Sequence, residues 1–211
     1  MGQQISRAVR LPVAHGRCAY PVSTKSEAMN DTRTNWFQTA HGREIVIDEP
    51  DPAVVDIEDI ALALARICRF GGHLRPEVEH YSVAQHSLLV SRLVPDELRF
   101  AALLHDAAEA YMGDVIRPLK LFLHDYGVLE KRWEIAIGEH FGLGRALAEM
   151  HVFIKQADNI ALNTERRDLL SDGPARRHLT GGLLPCRAQI VPCPVFVARD
   201  MFLDRYEELK P

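Results

Sequence analysis

The sequence predicts a mostly helical domain with a small β-hairpin near its N-terminus. A chain of 211 residues that is 47% hydrophobic can bury one sizeable core. From Pro52 onward, apolar residues recur at helical spacing. The alternating run REIVID (43–48) is typical of a strand instead. We see no internal repeat and expect residues 35–211 to form one domain.

The first part of the chain divides into an arm and a hairpin. Residues 1–34 are mixed and polar without sustained periodicity, which favours a flexible arm that could become ordered in a homo-oligomer. The segment WFQTAHGREIVID (36–48) then joins an aromatic pair, a His-Gly turn signal and the alternating run. It predicts a short hairpin that covers the helices as a lid.

Two helices follow. DIEDIALALARICRF (56–70) has acids in its first turn, which suit the helix dipole, and apolar residues at helical spacing up to Ile67. We expect Gly71 and Gly72 to stop it. Ser82 with Gln85 three residues later matches a capping box, which predicts a second helix with His86 in its first turn.

The remaining pattern is also helical. Pro95 opens a predicted third helix that continues to about Ala110, and further helices are expected at 126–141 and 146–170. A Gly/Pro-rich stretch (172–194) precedes VFVARDMFLDRYEEL (195–209), which predicts a closing amphipathic helix. The whole indicates a helical bundle with little strand.

Composition excludes several classes of protein. With 25 basic and 29 acidic residues, the net charge of −4 does not favour duplex nucleic acid as a partner. The four cysteines contain no CxxC pair, which suits a reducing compartment and gives no sign of a thiolate zinc site. The apolar runs are too short for a bilayer and the N-terminus lacks a signal pattern, so we expect a cytoplasmic protein without membrane association.

The stretch HDAAEAYMGD (105–114) carries the candidate chemistry. Adjacent helical positions lie about 100° apart, so His105 and Asp106 can both reach an object lodged between them, such as a metal ion. Glu109 lies one turn beyond His105, and Asp114 follows in a Gly-Asp turn. Imidazole and carboxylate ligands beside spare carboxylates are what metal-assisted hydrolysis requires. Mixed N/O ligands suit Zn²⁺, Mn²⁺, Co²⁺, Ni²⁺ or Fe²⁺ and leave the metal open.

These residues resemble a known family. The ordered pattern H…HD…D, present as His86, His105-Asp106 and Asp158, resembles the HD-domain metal-dependent phosphohydrolases. The similarity is greatest to the bacterial 5′-deoxynucleotidase branch, whose HDAxExxxGDxxxPxKxF pattern is similar to HDAAEAYMGDVIRPLKLF (105–122). Further matches are QHS (85–87), KQAD (155–158) and the Arg69-Phe70 pair. The resemblance spans roughly residues 57–170.

The resemblance implies an HD-domain helical bundle and a set of site residues. One divalent ion would be bound by His86, His105, Asp106 and Asp158. Glu109 and Asp114 would act in catalysis. Substrate would be bound by Arg69, Phe70 and Lys120.

Alternatives remain for some of these residues. Arg69 could cap a helix C-terminus, and Phe70 could belong to the core. Lys120 could be a solvated surface charge. Glu165 shares a helix face with Asp158, yet TERRD (164–168) favours intrahelical salt bridges, so we predict that Glu165 lies outside the site.

The expected function is metal-dependent hydrolysis of phosphate from a small nucleotide. The leading prediction is a 5′-nucleotidase acting on (deoxy)nucleoside monophosphates. One alternative is a dNTP triphosphohydrolase, of a kind that favours dATP, with the same metal ligands. Another is a nucleotide-sensing module without catalysis. Compared with the deoxynucleotidase pattern, two extra residues separate Arg69-Phe70 from His86, and Met112 replaces a small polar residue. Both departures bear on base and sugar selectivity.

Overall fold

Helices dominate the computed structural model, which describes residues 35–143 and 152–211. Two antiparallel strands, β1 (Trp36–Gln38) and β2 (Glu44–Val46), form the N-terminal hairpin. The predicted class, mostly helical with a small hairpin, is confirmed. The predicted arm, residues 1–34, lies outside the described residues. The helices of the described ranges are α1 (Ile57–Arg66), α2 (Val83–Arg92), α3 (Arg99–Leu103), α4 (Glu109–Met112), α5 (Arg117–Lys120), α6 (His124–His140), α7 (Val152–Leu169), α8 (Pro174–Arg177) and α9 (Val195–Leu209).

The core is formed where α1 packs on α9, α2 and α4. The side chains of Ile60 and Leu64, which the helical spacing of α1 predicted to face inward, are fully buried there. Asp56 caps α1, since its carboxylate accepts hydrogen bonds from the N–H groups of Glu58 and Asp59. In the described part of the chain, no helix combines the length and apolarity that crossing a membrane requires.

Helix α1 ends earlier than the sequence predicts. Its last residue is Arg66, and Ile67 is already extended. The chain there forms an antiparallel bridge between Cys68 and Ser82, with hydrogen bonds from Arg69 N to Tyr81 O and from Val83 N to Ile67 O. These hydrogen bonds between residues 67–69 and 81–83 replace further helical turns, so the helix ends before the two glycines.

Ser82 caps α2 as predicted, but the capping box is only half formed. The Ser82 hydroxyl accepts a hydrogen bond from the Gln85 N–H at 3.1 Å. The Gln85 side chain instead donates to the Val191 carbonyl and accepts from the Cys193 N–H. This residue therefore ties the C-terminal stretch to α2, and His86 lies in the first turn of the helix with its side chain fully buried.

The prediction of one continuous helix from Pro95 to Ala110 is wrong. A 3₁₀ turn (Asp96–Leu98) leads into α3, and the chain then turns before α4 begins. The N–H groups of Ala107 and Glu109 bond to carbonyls three residues back, and His105 Nδ1 lies 2.8 Å from the Ala102 carbonyl oxygen. The His105-Asp106 pair therefore lies on a tightened turn between two short helices. Its side chains point in directions other than those that one continuous α-helix would give them.

Later helices match their predictions more closely. Helix α6 begins two residues before the predicted start at 126, and α9 has the predicted bounds. The described part of the predicted helix 146–170 is α7, while residues 144–151 lie outside the described residues. The hairpin covers α1 and α6: Trp133 donates to the Ile47 carbonyl, and Arg132 donates to that of Asp48.

Candidate metal centre

Three predicted metal ligands converge in the structure. One ligand atom each from His86, His105 and Asp106 lie within 4.8 Å of one another. Asp106 Oδ2 is 3.4 Å from His86 Nε2 and 3.2 Å from His105 Nε2. The two imidazole rings are 5.2 Å apart between centroids. Helix α2 supplies the first residue and the turn before α4 the other two, so these three side chains could hold a metal ion.

The two Nε2 atoms carry the strongest sign of a bound cation. Both are buried, and neither has a hydrogen-bond partner among the described residues. A buried polar atom without a partner costs about 1–3 kcal/mol. Two such nitrogens beside one carboxylate fit a divalent ion, which would accept both lone pairs.

The opposite ring nitrogens are held in place. His86 Nδ1 lies 2.6 Å from Glu165 Oε1, and His105 Nδ1 lies 2.8 Å from the Ala102 carbonyl oxygen. Because each Nδ1 faces an acceptor, each Nε2 is directed towards Asp106. Histidines that bind metals are commonly oriented in this way.

Asp158 adjoins these three residues from α7. Its Oδ1 is 3.4 Å from His86 Nε2, but Asp158 does not bring a ligand atom within 4.8 Å of those of all three other side chains at once. Its Oδ2 accepts a hydrogen bond from Lys155 Nζ at 2.7 Å. The spacing in KQAD places this lysine one helical turn before the aspartate, as an i, i+3 pair.

Charge in the cluster favours a proton on His86. Burial and the Arg69 charge oppose that proton, but Glu165 and Asp158 outweigh them and raise the pKa of His86 to about 10. Burial alone would raise the pKa of Asp106, yet the two histidines lower it. The pKa of Asp158 is lowered in the same way, chiefly by His86 against its own burial. A metal ion binding here would have to displace the proton.

The cluster opens into a cavity of about 350 Å³. All five residues predicted for catalysis or substrate binding line it, and the β1–β2 hairpin and the 172–194 stretch do not. The lining residues from the predicted site are Arg69, Phe70, His105, Asp106, Glu109, Asp114, Lys120 and Asp158.

Glu109 is a buried carboxyl group on this cavity. Its Oε2 has no hydrogen-bond partner among the described residues, and its Oε1 lies 3.7 Å from Lys120 Nζ. Burial and the neighbouring carboxylates of Asp106 and Asp114 raise its pKa well above the usual value, against the effect of Lys120. Glu109 therefore keeps its proton to a higher pH than an ordinary glutamate does.

Arg69 does not cap a helix. Its Nη2 lies 3.1 Å from Glu165 Oε2, and its Nη1 lies 3.6 Å from Asp114 Oδ2. Burial opposes its charge, but these carboxylates raise the pKa of Arg69 well above its ordinary value. The next residue, Phe70, has φ 58°, the one positive φ of a non-glycine residue in the described ranges. This strained backbone holds an arginine and an aromatic ring at the same cavity wall.

The prediction that Glu165 lies outside the site is wrong. Glu165 is fully buried, accepts hydrogen bonds from Arg69 and Tyr81, and contacts His86. Burial would raise its pKa, but Arg69 and His86 lower it. The arginines that follow it pair elsewhere, Arg166 with Thr180 and Arg167 with Asp168. The seven-residue spacing from Asp158 was the available signal.

A second group of potential ligands lies where the hairpin meets α1. It contains His41, Asp56 and Asp59. His41 Nδ1 is 2.7 Å from Asp59 Oδ1, and the side chain of His41 is 49% exposed. Arg43 pairs with both aspartates. In this group a protein cation already compensates the carboxylates.

Comparison with known proteins identifies relatives of this chain. No protein-family model matches the sequence. It is 40% identical over 176 residues to the "Uncharacterized protein YfdR" of Escherichia coli (strain K12), which covers 83% of this chain and 96% of that protein. It is 36% identical over 143 residues to the "Uncharacterized protein RCAP_rcc00048" of Rhodobacter capsulatus, which covers 64% of this chain and 72% of that protein. The chain belongs to the family that includes these two proteins.

Proposed function

We propose that this protein is a metal-dependent phosphohydrolase of the HD-domain superfamily that removes phosphate from a nucleotide. The first substrate class to test is the (deoxy)nucleoside 5′-monophosphate. One observation carries the proposal: two buried Nε2 atoms, without a hydrogen-bond partner among the described residues, lie beside the Asp106 carboxylate, and His105 and Asp106 line a cavity. Its volume of about 350 Å³ falls in the range of small-molecule sites.

The proposed ligands are His86, His105, Asp106 and Asp158. A divalent ion, when bound there, would lower the pKa of a water molecule and draw charge from the phosphoryl oxygens. Glu165 and the Ala102 carbonyl orient the two imidazoles for this purpose. Burial of both histidines excludes water from the ligand nitrogens.

Glu109 is the proposed proton-transfer group. Its raised pKa lets the carboxyl group hold a proton to a higher pH than an ordinary glutamate, and its Oε2, which has no hydrogen-bond partner among the described residues, can exchange that proton with a group in the cavity. Lys120 lies 3.7 Å away and limits how far this pKa rises. In the proposed reaction, Glu109 takes a proton from water or gives one to the leaving oxygen.

Arg69 and Lys120 are the proposed phosphate-binding groups. Arg69 stays charged and is positioned by Glu165 and Asp114, so its guanidinium can meet phosphate with little loss of rotamer freedom. Phe70 offers a ring on the same wall for a nucleobase. Asp114 lies 3.6 Å from Arg69 and lines the same cavity, so in the proposed reaction it helps to position the substrate beside the phosphate-binding guanidinium.

The test is a panel of nucleotides assayed with Mn²⁺, Co²⁺, Zn²⁺, Ni²⁺ and Fe²⁺, with products resolved by anion-exchange chromatography. Nucleoside plus orthophosphate is the expected result, and tripolyphosphate would indicate a triphosphohydrolase. Protein with Asp106→Ala, purified in parallel, controls for contaminating phosphatase. Nucleotide binding without product under every metal would reject catalysis in favour of a sensor.

A further inference from the structure

The cavity is lined by three cationic side chains that the proposed hydrolysis does not use. They are Arg117, Lys155 and Arg166, and all three line the cavity. We call them the cationic rim. Arg117 begins α5, and the other two lie on α7.

Arg166 is held rigidly at this rim. Its Nη1 donates to Thr180 Oγ1 at 2.7 Å and to the His178 carbonyl oxygen at 3.1 Å. Its Nη2 and Nε have no hydrogen-bond partner within residues 35–143 and 152–211 in the structure. One nitrogen therefore anchors the guanidinium, and the others remain available to a ligand.

The other two cations share a single counter-charge. Lys155 Nζ is 2.7 Å from Asp158 Oδ2, and Arg117 Nη2 is 4.0 Å from the same oxygen. Asp158 is a proposed metal ligand. When Asp158 binds a divalent ion, its negative charge is directed to that ion. The three positive charges of the cationic rim would then lack this shared carboxylate as a counter-charge.

The rim residues also repel one another. Burial lowers the pKa of Arg166, and the nearby Arg117 charge lowers it further. The part of the cavity lined by α6 is different, because Glu130 and Glu134 belong to it and Lys120 pairs with Glu130 at 2.7 Å. An anion in the cavity would be attracted to the cationic rim and repelled by the two glutamates of α6.

We propose that the cationic rim is a second anion subsite, which binds a phosphate group of the substrate other than the one being hydrolysed. This inference rests on the proposed function and extends its substrate class to nucleotides with at least two phosphate groups. The second phosphate could belong to a phosphate chain on one sugar oxygen or to a second sugar position. Guanidinium groups favour such a ligand because they donate paired hydrogen bonds to phosphate oxygens.

The test measures binding, so that it does not depend on turnover. Metal-loaded Glu109→Gln protein is titrated calorimetrically with dAMP, dADP, dATP and deoxyadenosine 3′,5′-bisphosphate, in excess free metal. At least one ligand with two phosphates should bind about tenfold tighter than dAMP, the gain expected from one charge-assisted contact. A gain with dADP assigns the subsite to a phosphate chain, and a gain with the bisphosphate alone assigns it to the second sugar position.

Variants at the rim then locate the gain. Arg117→Gln and Arg166→Gln, each made in the same background, should remove the gain and leave the Kd for dAMP within about twofold, because one charge-assisted contact is lost. Arg176→Gln, at an exposed arginine of α8, is the matched control and should keep the gain. Arg117 is 56% exposed, so its variant still reports on the subsite if Arg166→Gln does not fold.

The result that overturns the subsite is equal affinity for dAMP and every ligand with two phosphates, or a gain that persists in Arg117→Gln. The otherwise unsubstituted protein would then still hydrolyse dAMP if the proposed function is right. Conversely, a rim-dependent gain in protein that hydrolyses no nucleotide would retain the subsite and reject the hydrolase. The two failures are therefore distinguishable.

Discussion

Two His/Asp clusters in the described part of the chain differ in how their charges are compensated. Around His86, two buried imidazole nitrogens have no hydrogen-bond partner among the described residues, and Arg69 pairs with Glu165 and Asp114. Around His41, the histidine is half exposed and Arg43 pairs with both aspartates. Ligand proximity is similar in the two clusters. What separates them is that both aspartates of the second cluster pair with an arginine, whereas Asp106 of the first cluster pairs only with histidines among the described residues.

The second cluster is better explained by its contacts within the protein. Asp56 caps α1, and Asp59 accepts hydrogen bonds from the backbone and ring of His41. These contacts join the hairpin to α1. Proximity of potential ligands is therefore weak evidence for a metal, whereas buried unpartnered nitrogen atoms are stronger evidence.

The largest effect is expected at the ligands themselves. His105→Ala and Asp106→Ala should each remove bound metal and essentially all turnover, because each deletes a ligand atom of the proposed ion. The measurements are metal content by elemental analysis, kcat, and helix content by circular dichroism. His41→Ala is the matched control and should keep metal and activity. Full metal content in Asp106→Ala would refute the assignment of the first cluster.

Glu109→Gln should separate chemistry from metal binding. Because the proposed role of Glu109 is proton transfer, kcat should fall by about 10²–10⁴ while metal content stays the same. Glu139→Gln, at an exposed glutamate of α6, is the control. Joint loss of metal and rate would make Glu109 a ligand, and an unchanged kcat would remove it from the mechanism.

Glu165→Gln tests whether the orientation of His86 matters. Loss of the carboxylate that holds Nδ1 should weaken metal affinity by about 10–100-fold, the usual effect of such a partner. It should also destabilise the protein by about 3–5 kcal/mol, since Arg69 loses a buried counter-charge. Tyr81→Phe removes only a hydroxyl from the same carboxylate and should change metal affinity much less. Equal effects of the two variants would contradict an orienting role.

Metal affinity should depend on pH at the first cluster. The pKa of His86 is raised to about 10, so below that pH the metal-free protein carries a proton there that a bound ion must displace. Apparent affinity should therefore rise with pH, by about tenfold per unit between about pH 6 and pH 9. Calorimetry in buffers of different ionisation enthalpy measures the released proton. Affinity independent of pH would show that His86 is not a ligand.

The smallest effect is expected at the second cluster. Arg43 is 42% exposed and its closer partner Asp56 lies near the surface, so loss of that pair in Arg43→Gln should lower stability by about 1 kcal/mol, while the buried Asp59 keeps its hydrogen bonds from His41. Metal content should not change, because the first cluster is untouched. A second equivalent of bound metal in Arg43→Gln would mean that the arginine had been excluding an ion, and would make the two clusters alike.

Local sequence patterns were sufficient for most of the fold. The spacing of apolar residues predicted α1, and Ser82 predicted the start of α2, because periodicity and caps act within one or two turns. They were insufficient at the His105-Asp106 turn, where the ring of His105 bonds to the Ala102 carbonyl oxygen. A helical spacing rule describes regular geometry and cannot report where that geometry is interrupted.

By itself, the sequence determined the helical class, the hairpin and the candidate ligands, since each depends on residue type and short spacing. Tertiary structure alone decided which charged side chains pair with one another. Glu165 meets His86 only because α7 packs against α2, and Arg69 meets both Glu165 of α7 and Asp114 beyond the end of α4. Contacts between residues far apart in the chain depend on helix packing, and burial at those contacts determines whether a carboxylate forms a solvated surface pair or holds a metal-binding histidine in place.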